Sequence, residues 1–169
     1  MATKAMIRCA RTILMLLLLP LMACTGGALS NDRSAISGVY SVQTAISDHP
    51  HHVLIGHVII ADHGTTRAHA LVIGQRRDGV HRLSFDAAWR DGVMLSFRNE
   101  DGTGCTHGHC RDGPVGMILL SAPLFHAAQA QGLTARLTGP SGAIDIFAPA
   151  ALFNEAAARA VDMARDDLV

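Results

Sequence analysis

The chain has 169 residues, with 14 Lys plus Arg against 14 Asp plus Glu, so its formal charge is zero with His neutral. That length suits one ordinary domain. The balance excludes a nucleic-acid surface, which needs a basic excess on one face, and Lys4, the one lysine, leaves neither a P-loop nor Schiff-base chemistry in the body of the chain.

The N-terminus opens with Lys4, Arg8 and Arg11 and no acidic residue before the apolar run Ile13 to Ala23. That run is about 11 residues long, against about 20 for a spanning helix. A short apolar run behind a basic head predicts a cleaved secretory signal over 1–23. The segment Leu21-Met22-Ala23-Cys24 resembles the lipobox of bacterial lipoproteins. The resemblance implies a diacylglycerol thioether on Cys24 and an acylated amine. Gly26-Gly27-Ala28 is also small, so an ordinary signal cut after Ala28 is the alternative. Residues 24–37 then read as a lipidated Cys and a flexible tether, rich in Gly and Ser. Residues 38–169 read as a single β-rich domain. Thr25, not Asp, follows the Cys, which favours the outer membrane where that sorting rule operates, with the domain facing the periplasm.

From Gly38 the pattern is that of strands. Tyr40, Val42 and Ile46 alternate with polar residues; Val53–Ala61, Arg67–Ile73, His81–Trp89 and Val93–Phe97 follow. Asp62-His63-Gly64, Arg77-Asp78-Gly79 and Arg90-Asp91-Gly92 separate them and read as three-residue hairpin loops with a left-handed Gly. That register predicts a core row Ile55, Leu71, Phe85, Phe97, with Ile59, Arg67, Trp89, Val93 in a parallel row. Val115–Leu120 reads as a strand. Ser121 reads as a helix N-cap, with Pro123 in the first turn and Gly132 as the stop. Leu133–Leu137 and Ala143–Phe147 flank Gly139-Pro140-Ser141-Gly142 as another hairpin. From Pro149, Phe153, Ala156, Ala157, Ala160, Val161 and Ala164 recur at helical spacing, and this stripe is expected to pack on the sheet. The fold class expected is mainly β: an antiparallel, β-sandwich-like meander with one short helix and a C-terminal helix.

The stretch from Cys105 to Ala160 resembles the C-terminal half of the invasion-associated locus B family of bacterial envelope proteins. The residues that carry the likeness are Cys105 and Cys110, Val115–Leu120, Leu124–Gly132, Leu137–Ile146, Leu152-Phe153 and Ala156–Ala158. The N-terminal half lacks that family's earlier cysteines and has Tyr40 where Trp is expected. The resemblance implies a β-sandwich with a helix and little about chemistry.

The candidate chemistry is concentrated in Cys105-Thr106-His107-Gly108-His109-Cys110. Two thiolates and two imidazoles suit Zn²⁺ or Cu⁺. Four ligands within one short loop make a strained chelate, so a Cys105–Cys110 disulfide in an oxidising compartment is the main expectation. A redox-active pair is a third reading, without the Cys-x-x-Cys spacing that lowers a thiol pKa. The chain also holds 10 His. The expected register sets His57 opposite His69. It also puts His51, Gln75, His81 and Asp101 in one row, at the sheet end that carries His49, His52 and the cysteine loop. His51, His81, His107 and His109 are therefore the metal candidates. Ser141 lacks a nucleophile-elbow spacing, and Glu100 and Glu155 are the only glutamates. The functional expectation is a lipid-anchored, non-catalytic envelope protein with a structural or protein-interaction role. The alternative is a periplasmic Cu- or Zn-binding lipoprotein.

Overall fold

The computed structural model describes residues 28–31, 36–47, 53–63, 65–76, 82–99 and 114–166. Ten strands and two helices make it up, in chain order: β1 (Ala28–Asn31), β2 (Ile36–Tyr40), β3 (Thr44–Ala45), β4 (Val53–His63), β5 (Thr66–Arg76), β6 (Ala87–Arg90), β7 (Val93–Arg98), β8 (Pro114–Leu120), α1 (Ala122–Gln131), β9 (Leu133–Gly139), β10 (Gly142–Ala148) and α2 (Ala150–Asp166). The fold is mainly antiparallel β with a short helix and a C-terminal helix, the class the sequence predicts.

The strand order is β1-β2-β4-β5-β8-β7-β6-β9-β10, with β3 paired to β4. Phe147 at the β10 edge donates its N–H to the carbonyl of Ile46, just beyond β3, at 2.7 Å. The sheet therefore curls until its far strand meets the β3 corner. Inside it lie Leu54, Val58, Leu71, Ile73, Ile118, Leu133, Leu137 and Ile146, all at 2% exposure or less. Both helices pack together, and α2 lies against β2 and β4. Leu152, Phe153, Ala156 and Ala160 are buried, and Val42 N–H donates to Glu155 Oε2 at 3.3 Å, tying the β2–β3 link to that helix. Val161, in the expected stripe, is instead 52% exposed.

The pairings depart from the expected register. β4 and β5 pair as His63↔Thr66 and Val58↔Leu71, so Ile55 faces Gly74 rather than Leu71. The offset from expectation is an odd number of residues and exchanges the faces of one strand relative to the other. Asp62 and Arg67 are directly opposite, joined by Arg67 Nε and Nη2 to the two carboxylate oxygens at 2.8 and 2.9 Å. The register thus sets a bidentate ion pair at the hairpin end of the same β4 face that buries Leu54, Val58 and Ile60 farther along.

The larger departure is that β5 pairs with β8, not with the segment after it. β8 carries an almost unbroken apolar run and is flanked by β5 and β7, with Val115, Ile118 and Leu120 buried and Met117 and Leu119 half-buried. The Arg77-Asp78-Gly79 turn lies outside the described residues, but its expected hairpin is excluded by this pairing. Residues 82–86 form no strand. They are held instead by Leu83 N–H on Gln75 Oε1, Ser84 N–H on Ser141 Oγ, and Asp86 N–H on the Thr138 carbonyl. A Cβ at Gly139 would stand 2.6 Å from Phe85 Cα, so glycine permits this close approach. Phe85 is fully buried, but the observed row is Val58, Leu71, Ile118 and Phe97; Ile55 and Phe97 are only half-buried.

Candidate functional site

Cys24, Cys105, Cys110, His51, His81, His107 and His109 lie outside the described residues, as do His49, His52 and Asp101. The expected His57–His69 pair does not exist. His57 faces Val72 and His69 faces Ile60, and since 57 and 60 differ in parity the two imidazoles lie on opposite faces of the sheet. His69 stacks on Phe125 of α1 with ring centroids 4.3 Å apart. His57 meets the edge of Tyr40 at 6.3 Å. Burial pushes both imidazoles below their ordinary pKa, and at His69 the Arg67 and His126 charges add to it. Among the described residues no group of three or more His, Cys, Asp or Glu is placed to hold a metal.

The described residues hold a different candidate, on the outer face of β6, β9 and β10. Arg90 pairs with Val93 around a two-residue turn, one residue tighter than the expected loop. Asp91 and Gly92 have φ of 50° and 77°, the left-handed pair a type I′ turn needs. This one-residue change puts Trp89 opposite Met94 and Arg136, and Arg136 opposite Asp145. Met94, Trp89, Arg136 and Asp145 therefore form one outward row. Their inward neighbours Leu95, Ala88, Leu137 and Ile144 form the matching core row.

Trp89 is 38% exposed; Met94 opposite it and Phe147, on β10 two strands away on the same face, are 63% and 51% exposed. The indole N–H donates to Thr138 Oγ1 at 3.1 Å, which fixes the ring. A cleft of about 390 Å³ opens here between the β6–β7 turn and the end of α1, lined by Trp89, Arg90, Gln131, Thr134, Arg136 and Asp145 among others. Its charges are matched within the cleft: Arg90 Nε to Asp91 at 3.4 Å, and Arg136 Nη1 to Asp145 at 3.7 Å.

The walls are built by local signals. Ser121 caps α1 by accepting from Leu124 N–H at 3.4 Å. Gly132 ends it at φ 78° with its N–H on the Ala128 carbonyl, and a Cβ there would stand 2.7 Å from the Ala148 carbonyl oxygen. Asn154 of α2 donates to the Gln129 carbonyl at 3.0 Å. The end of α1 is thereby pinned beside β9 and β10. The expected register sets Trp89 in a core-facing row with Val93, so this site is not visible from it. The signal was present: that row also contained Arg67, a poor neighbour for a core face. Comparisons with protein-family models, curated proteins and solved structures find no match.

Proposed function

We propose that this chain is a lipid-anchored protein of the bacterial envelope, acting in structure or protein interaction rather than catalysis. The observation that carries the proposal is the series of basic head, short apolar run and Leu21-Met22-Ala23-Cys24. Cys24 carries the lipid, the domain faces the periplasm, and the outer membrane is the expected site. In that compartment Cys105 and Cys110 pair as a disulfide. The interaction surface is the outer face around Trp89, where three large side chains stand in solvent on one side of a closed core; exposed apolar groups grouped this way mark interaction sites more often than scattered ones do.

The test is incorporation of radioactive fatty acid in cells making the natural chain and its Cys24→Ala variant. The natural chain takes up label and fractionates with membranes; the variant does neither. Label in the variant would show that lipid is attached elsewhere or not by this route. Thiol counting on native protein, isolated without reductant, tests the disulfide: two reactive thiols at Cys105 and Cys110 would refute it.

A further inference from the structure

We infer that the cleft beside Trp89 is a saccharide-binding site, taking a short stretch of neutral glycan against the indole. The inference rests on the reading above only in taking this face as the binding face.

Three features of the cleft point to that ligand class. The first is the aromatic ring. Trp89 is partly exposed and held by its hydrogen bond to Thr138, so its ordering is already accomplished before a ligand arrives. Amphipathic rings of this kind present an apolar surface at a wet boundary, and the C–H face of a pyranose stacks on such a surface.

The second is the set of polar groups. Arg90 and Arg136 donate, Asp91 and Asp145 accept, and Gln131 and Thr134 do both. A sugar hydroxyl is donor and acceptor at once, so it matches a lining that alternates the two. Binding sites join a few convergent polar groups to an aromatic wall in this way, and a volume of about 390 Å³ is that of a small ligand site.

The third is charge. Two guanidinium groups and two carboxylates balance, and each is within 4 Å of its opposite. A phosphate or sulfate would meet both carboxylates, and an ammonium would meet both guanidinium groups. A neutral polyol meets neither penalty. A protein partner would also cover Met94 and Phe147, which flank the cleft without lining it, and this separates the two occupants experimentally.

The chain contains one tryptophan, so its intrinsic fluorescence reports this site alone. The full chain, in a detergent without a sugar headgroup, is titrated with chitotriose and with maltotriose. We expect a saturable change in emission with at least one of them. Arg136→Met should weaken that binding about tenfold, the loss of hydrogen bonds to a charged group. Val161→Ser, on the exposed side of α2, should leave it unchanged. Trp89→Ala, followed by calorimetry with its fold checked by circular dichroism, should abolish it. No saturable change with either trisaccharide overturns the proposal, as does undiminished binding by Arg136→Met. So does a larger response to inorganic phosphate that fades with salt, since the site would then be reading charge. If neither sugar binds but Trp89→Ala or Met94→Ser loses a cross-link to an envelope protein, the saccharide is overturned and the interaction surface stands. If sugars bind but Cys24 takes no fatty acid, the anchor fails and the saccharide site stands.

Discussion

At the residue scale, burial decides what each aromatic and imidazole contributes. Phe85 lies outside any strand yet is fully buried, because the backbone at 84–86 is held against the β9–β10 hairpin. Phe85→Ala should therefore cost about 3–5 kcal/mol, read as a lower denaturant midpoint at unchanged slope. His57 and His69 give a pH dependence of definite sign. Each is held below its ordinary value near 6.5 by burial first, and His69 next by Arg67 and His126, with Asp62 opposing. Below pH 6.5 the unfolded chain takes up protons that the folded chain refuses. Stability is therefore highest above that value and falls as pH drops from it toward the lowered folded-state values. Denaturation midpoints measured across that range should show the slope, and His69→Gln should flatten it. An unchanged slope in both His57→Gln and His69→Gln would place the effect elsewhere.

At the element scale, local chemistry explains the pieces that the sequence made legible. Ser121, Pro123 and Gly132 bound α1 as read, and Gly139-Pro140-Ser141-Gly142 makes the β9–β10 hairpin. These signals act within a few residues, so no partner strand is needed to read them. The β6–β7 turn was legible as a turn but not in its length: Arg-Asp-Gly suits a three-residue loop, and Asp-Gly alone suits a type I′ pair. One residue separates the alternatives, and that residue decides whether Trp89 faces the core or solvent. Gly92 has φ 77° with open space around it. Gly92→Ala should thus cost about 1–2 kcal/mol through left-handed strain alone, without a steric clash. Its effect on the cleft should be small, checked by the indole emission maximum staying in place. A large red shift would mean that the turn, not Thr138, holds the indole.

At the scale of the whole molecule, α2 completes the core. Leu152 and Phe153 are almost wholly buried, and a fully buried Leu or Phe contributes about 1.5–3 kcal/mol. Phe125 and Phe153 meet edge to face at 6.0 Å, so the two helices share one apolar seam. A chain ending after Pro149 should lose cooperative unfolding, measured by loss of a single sharp thermal transition; a retained transition would mean that the curled sheet is stable alone. What the sequence by itself determined is the β-rich class, the two helices and the position of most strands. Each of those depends on hydropathy, spacing or a cap that acts locally. Only the tertiary structure decided that β8 sits between β5 and β7, that His57 and His69 lie on opposite faces, and that Trp89, Arg136 and Asp145 share an outward row. Strand pairing chooses among apolar segments of similar local quality far apart in the chain, and a slip of one residue exchanges the two faces of a strand. Neither choice is encoded within a few residues, so both are settled by which arrangement buries the most apolar surface while leaving every charge in water or beside its opposite.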